Sequence, residues 1–293
     1  MRFSLRYRAE YRYPGPVYDQ HNMLRVTPAS TPVQRVRGFR VVVDPNARTR
    51  THRDYFGTEV VEFGVPGEHD RLTITAEGEV VTETPALPPG GAWELLREPA
   101  YADAGREFLL STGDEPANGA LTSLREAIEA DTPRGTLERL CEVVPDRFEY
   151  RPGATFVGST VDDLLEGGAG VCQDFVHLSL ILLRQSGIAA RYVSGYLFAA
   201  SEDGGQDSVE VDTHAWVEAL LPSGDGGPPA WTGADPTNRR LAGEEHVKIG
   251  HGRFYGDVAP IRGVYKGGGG EAHHEVNVRM TRLAPRGASL NTS

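Results

Sequence analysis

Along residues 1–13 apolar and polar positions alternate almost without a break. Phe3, Leu5, Tyr7, Ala9, Tyr11 and Tyr13 share one face, and Arg2, Ser4, Arg6, Arg8, Glu10 and Arg12 the other. A period of two is that of a half-buried strand. Pro14-Gly15-Pro16 is expected to end it, and His21 to Pro28 to form a second strand. Phe39 to Val43, stopped by Asp44-Pro45, reads as a third. Further strands are expected at 51–56, 58–65, 70–76 and 78–83, with turns at Gly57, Pro66-Gly67 and Gly78. Short strands at this spacing predict an antiparallel β-sandwich. No chemistry-bearing cluster falls here, because His21, His52 and His69 are scattered.

Pro85 to Gly91 is rich in proline and glycine and reads as a linker, which divides the chain into residues 1–88 and 89–293. Beyond it the period lengthens. Helical segments are expected at 93–96, around Phe108-Leu109-Leu110, at 121–130 and at 136–143. Cys141 lies on the apolar face of the last of these and reads as a small buried hydrophobe. Thr160 to Leu165 reads as a short helix capped by Thr160, with Asp162 and Asp163 in its first turn. Later strands are expected at 188–199, at 211–220 and at 231–235, and a closing strand at 274–283. Segment 253–260 reads as irregular, 201–208 as a polar loop, 267–270 as a flexible connector and the tail after Pro285 as frayed. The class is therefore α+β.

One stretch joins this framework to chemistry. Gly167-Gly168-Ala169-Gly170 leads into Val171-Cys172-Gln173-Asp174, and Phe175, Leu178, Ile181 and Leu182 then repeat at helical spacing up to the Gly187 stop. A cysteine in a first helical turn meets the positive end of the dipole and free backbone N–H groups. That setting favours thiolate, the nucleophilic form, and the same N–H groups could hold an oxyanion. Two downstream strands offer a base and a group to orient it: His214, two residues before Trp216, and Asp235, stopped by Pro236. Taken singly, each of the three has an ordinary structural reading. Gln173 and Asp174 either order the helix start or line the site, and Trp216 and Trp231 read as packing beside it.

Gly-Val-Cys at 170–172, His-Ala-Trp-Val at 214–217 and Asp-Pro-Thr-Asn at 235–238 resemble the three motifs of the transglutaminase-like superfamily, most closely its bacterial branch with an extra N-terminal β domain. The resemblance implies a papain-like core behind that domain. It also implies a Cys172–His214–Asp235 triad that attacks a glutamine-type or peptide carboxamide through a thioester. An amine would resolve the thioester into a cross-link, and water into a hydrolysed amide. The partners implied are a protein or peptide carrying a carboxamide and an amine co-substrate. A second oxyanion donor is implied from an upstream side chain that the motifs do not name. The rival reading is a scaffold protein that keeps the fold with an idle triad.

Composition narrows this further. A net charge of −11 argues against nucleic acid or an anionic membrane as the main partner. Two cysteines are too few for a disulfide framework, and no signal-peptide pattern opens the chain, so a cytoplasmic protein is expected. Neither His-x-x-x-His nor Cys-x-x-Cys spacing occurs, and no calcium loop is seen, so neither metal nor cofactor is expected. The glycine runs at 167–170 and 267–270 lack the lysine of a phosphate loop. Asn291-Thr292-Ser293 is read as a chance glycosylation match.

Overall fold

A computed structural model of the chain describes residues 1–111, 119–156, 158–199, 208–211 and 213–284. Most of the polar loop expected at 201–208, the frayed tail and the sequon lie outside the described residues. The N-terminal region is built from β1 (Arg2–Leu24), β2 (Gln34–Asp44), β3 (Thr49–Arg53), β4 (Glu59–Val65) and β5 (His69–Thr82). Short helices follow: a 3₁₀ turn at Trp93–Arg97, α1 (Pro99–Gly105), a second 3₁₀ turn at Arg106–Leu109, α2 (Gly119–Ile128) and α3 (Pro133–Arg147). Next come the two-residue β6 (Glu149–Tyr150), α4 (Val161–Gly167) and β7 (Ala169–Gly170), which lead to α5 (Cys172–Gln185). The chain continues through β8 (Ala190–Leu197), β9 (Ser208–Val211), β10 (Thr213–Leu221), β11 (Ala230–Asp235), β12 (Arg240–Leu241) and β13 (His246–Gly252). A single turn, α6 (Tyr255–Val258), precedes β14 (Ile261–Gly267) and β15 (His273–Arg282).

The α+β class and the antiparallel N-terminal architecture are as expected, but two punctuation marks were misread. Pro14-Gly15-Pro16 does not end the first strand, because β1 runs through it. The prolines sit where the strand changes neighbours. Phe3 to Arg12 pair with β15, whereas Val17 to Leu24 pair with β14 and Gln20 to Leu24 with β4. The ladder to β5 skips from Arg12 to Val17, so no ladder hydrogen bond is asked of a proline lacking its N–H. Gly78 likewise lies inside β5. Arg37 pairs Glu79 and Arg40 pairs Glu77, leaving Gly38 and Phe39 opposite Gly78, which is a bulge. A side chain at Gly78 would stand 2.7 Å from Phe39 Cα.

The result is one eight-stranded antiparallel sheet centred on β1. The proposed division at 88/89 is crossed in space, since β9, β14 and β15 belong to this first sheet. A second sheet of five strands has the order β12-β11-β10-β8-β13. Its apolar side chains are shared between two cores. Ala190, Tyr192, Ala215 and Val217 pack in a cluster with α2, α3 and α5. Tyr196, Phe198, Val247 and Ile249 pack instead with Phe3, Leu5, Leu24 and Met280 of the larger sheet. Both faces of β8 are thus covered, and every residue of it except the half-buried Arg191 is buried. Cys141 is buried as expected, and burial pushes its thiol up to about 12.

At the middle of β8, Gly195 lets β10 and β13 close on the strand. An added Cβ there would meet Trp216 Cη2 at 2.5 Å and clash with the Val247 carbonyl oxygen. Gly195→Ala is expected to destabilise the protein by about 2 kcal/mol, read as a lower urea midpoint at unchanged m-value. An unchanged midpoint would show that the sheet has slack at this point.

Candidate active site

Cys172 opens α5, the helix predicted from the apolar spacing that follows it. The turn into the helix is held by Asp174, which is 2% exposed and accepts the Val171 N–H at 2.7 Å. The same carboxylate oxygen accepts the Thr155 hydroxyl. Asp174 therefore orders the helix start, one of the two roles expected for it. Gly170 gives it room, because a Cβ there would lie 2.8 Å from Asp174 Oδ2. The N–H groups of Cys172 and Gln173 belong to the first turn and have no carbonyl acceptor within the helix.

His214 is the second residue of β10, and Asp235 ends β11. His214 Nε2 lies 2.8 Å from Asp235 Oδ2, and the Cys172 thiol is near enough to help raise the imidazole pKa. With Nε2 committed to the carboxylate, Nδ1 is the nitrogen left for sulfur. The structure thus brings together all three residues singled out in the sequence. Burial works to lower the His214 pKa, but hydrogen bonds and charge from Asp235 and Cys172 outweigh it and raise it from 6.5 to about 9. Asp235 shows the converse. Burial works to raise its pKa, yet the donors around it hold it below the usual carboxylate range.

Those donors include a residue missed in the sequence. His246, the first residue of β13, places Nε2 3.0 Å from the same Asp235 Oδ2. Its Nδ1 accepts the Gly243 N–H at 3.1 Å, so the ring proton sits on Nε2 and is donated to the carboxylate. Asn238 adds two further donors, its side-chain amide to Oδ2 at 2.8 Å and its backbone N–H to Oδ1 at 3.1 Å. Asp235 itself is fully buried. His214, Asp235 and His246 are close enough together to suggest a metal site. However, both imidazoles point a nitrogen at the one oxygen at hydrogen-bond length, which fits shared protons. No strand was expected at 246–252, and a lone histidine eight residues after Asn238 carries no motif.

Trp216 is buried beside the two imidazoles, its ring 5.2 Å from that of His246 and 6.2 Å from that of His214. This agrees with the packing role expected of it. A largely apolar groove of about 570 Å³ runs along the Gln173–His177–Ile181 side of α5, lined also by Ser159, Phe254 and Tyr255; Cys172 is not part of its lining.

Comparison with known proteins places the chain in a family. Residues 3–81 match the model of the bacterial transglutaminase-like N-terminal region, and residues 122–236 that of the transglutaminase-like superfamily. The chain belongs to the transglutaminase-like superfamily. An uncharacterized protein of Mycobacterium leprae is 37% identical over 278 residues, covering 94% of this chain and 96% of its own. A protein-glutamine gamma-glutamyltransferase of Pseudomonas aeruginosa is 29% identical over 132 residues, which is 42% of this chain and 19% of that protein. The fold recurs in the crystal structure of a candidate cysteine protease from Cytophaga hutchinsonii, with TM-score 0.75 and 20% identity, over 97% of this chain and 91% of that one.

The His214 pKa ties stability to pH. A group raised on folding contributes fully below its unfolded value and loses that contribution as pH rises through the folded value. For His214 the window runs from 6.5 to about 9 and is worth about 3 kcal/mol. Stability measured by urea unfolding should fall across it in the wild type. The difference between wild type and His214→Gln isolates this group from other titrations, and a pH-independent difference would refute the pairing.

Proposed function

We propose that the protein is a cysteine-dependent acyl-transfer enzyme acting on a carboxamide of a protein or peptide. The observation that supports this most is the grouping of Cys172 at a helix N-terminus with an imidazole whose pKa it helps raise and a buried carboxylate hydrogen-bonded to that imidazole. Cys172 attacks the amide carbon as a thiolate paired with the His214 imidazolium. Negative charge gathers on the carbonyl oxygen, where the first-turn N–H groups of α5 can meet it. The His214 imidazolium then protonates the departing nitrogen, and ammonia or an amine leaves a thioester on Cys172. An incoming amine or water gives its proton to His214 as it attacks the thioester, which frees the thiol. Asp235 keeps the ring oriented and offsets its charge throughout.

A glutamine side chain is the proposed acyl donor, following the name of the Pseudomonas aeruginosa relative. Gln173 and the aromatic pair Phe254 and Tyr255 would flank the segment that carries it. An amine acceptor makes the reaction a cross-link, and water makes it a hydrolysis. The cytoplasmic location expected from the low cysteine content remains part of this proposal. The two cysteines are free, and among the described residues no helix is long and apolar enough to cross a membrane.

The test offers a glutamine-containing peptide with and without a primary amine, and follows ammonia release and amine incorporation by mass spectrometry. Wild type should release ammonia, Cys172→Ala should not, and iodoacetamide should label Cys172 faster than a model thiol at mildly acidic pH. His214→Gln should lower turnover by about 10³-fold or more. Equal rates for wild type and Cys172→Ala would leave the protein a scaffold.

A further inference from the structure

Along β10, Ala215, Val217, Ala219 and Leu221 join the core packed on α5. The alternate positions His214, Trp216 and Glu218 therefore face the other way. His214 belongs to the site above, and Trp216 stands between it and a second group of buried charges. Glu218 Oε2 accepts from Arg191 Nε at 2.6 Å and from Lys248 Nζ at 2.6 Å. Arg191 also contacts His251 Nε2 at 3.1 Å, and its guanidinium carbon lies 4.0 Å from the centre of the Trp231 ring. The three charged side chains are each only 12–13% exposed.

These residues form the floor of a cavity of about 590 Å³, closed on its other side by N-terminal residues that include Val33, Phe56 and Thr58. The volume is that of a small-molecule site. Its charge is not balanced. Arg53, Arg191 and Lys248 line it against the two carboxylates of Glu83 and Glu218, and His251 adds no compensating anion. Burial and the neighbouring cations push the His251 pKa down to about 3, so it is neutral at ordinary pH. Lys248 has three N–H donors, of which Glu218 takes one. Burial, only partly offset by Glu218, pulls its pKa down to about 8, as expected where an ammonium lacks sufficient counter-charge. Thr58, whose side chain packs onto Gly250 of β13, is 3% exposed, and its hydroxyl has no partner among the described residues. An excess cation and an unpaired buried hydroxyl lining one cavity both call for an acceptor that carries negative charge. Phe56, Trp231 and Ile249 supply apolar wall.

We propose that this cavity binds a small carboxylate with an apolar body, at a site separate from Cys172 and from the groove along α5. The carboxylate pairs with Lys248 and accepts from Thr58, and the apolar body lies against Trp231 and Phe56. Such a carboxylate can come from a free acid or from a peptide C-terminus, which present the same chemistry to the cavity. The site does not depend on the reaction proposed for Cys172.

The experiment titrates the full chain in low-chloride buffer with 3-phenylpropionate and with the dipeptide alanyl-phenylalanine. The corresponding amides serve as controls, and binding is read by calorimetry and tryptophan fluorescence. Saturable binding of either acid, lost in its amide, is the expected result; which acid binds identifies the source. Lys248→Met, which leaves Arg191 and Glu218 as a balanced pair, should weaken binding by roughly tenfold or more. Glu218→Gln, which adds to the positive charge, should tighten it. Cys172→Ala should bind as the wild type does. No saturable binding of either acid, equal binding of the amides, or loss of binding in Cys172→Ala would overturn the proposal. Should Lys248→Met fail to fold, the comparison of acid with amide on the wild type still decides.

Discussion

A single carboxylate with no exposure to solvent organises this molecule. Burying an ionised group costs several kcal/mol unless hydrogen bonds replace its water. Asp235 meets that cost with His214 from β10, His246 from β13 and two donors from Asn238 just beyond β11. Ordering the site and holding the edges of the smaller sheet together are thus one task. Any of these donors that withdrew would leave charge stranded in a dry interior, which gives the imidazole next to Cys172 little freedom to turn away.

The surrounding fold makes that interior dry. The smaller sheet is packed into two hydrophobic clusters, one built on α5 and the other on the larger sheet around β1. Strand β8 passes through both. Close approach of β13 and of the Trp216 ring to Gly195 brings His246 and Trp216 up against His214 and Asp235. The larger sheet also supplies one wall of the charged cavity, so the N-terminal strands do more than precede the core in sequence. They shield one group of charges while α5 positions the other.

Much of the candidate site was legible because its chemistry sits in short local signals. A glycine run followed by cysteine and a helical apolar stripe marks a helix start, and His214 and Asp235 lie in strands whose pattern is visible locally. His246 was not legible. Strand β13 reads His-Val-Lys-Ile-Gly-His-Gly, where charge and glycine interrupt the apolar alternation. Its lysine and second histidine are inside only because the Arg191–Glu218 pair and the N-terminal loops meet them there. Pro14, Pro16 and Gly78 misled for a related reason. Each residue breaks an ideal strand, and the sheet uses each break where the ladder is already interrupted.

Residue order alone determined the class of the fold, the alternation that buries one side of β1, the start of α5 and the candidate set of Cys172, His214 and Asp235. All of these rest on periodicity or on contacts between near neighbours in the chain, which sequence spacing encodes directly. Tertiary structure alone decided that strands from the end of the chain complete the first sheet, that a second histidine shares the Asp235 oxygen, and that three charges face a common cavity. Those outcomes depend on strand register and on the desolvation of groups far apart in sequence. Neither quantity exists until the two sheets have closed on one another.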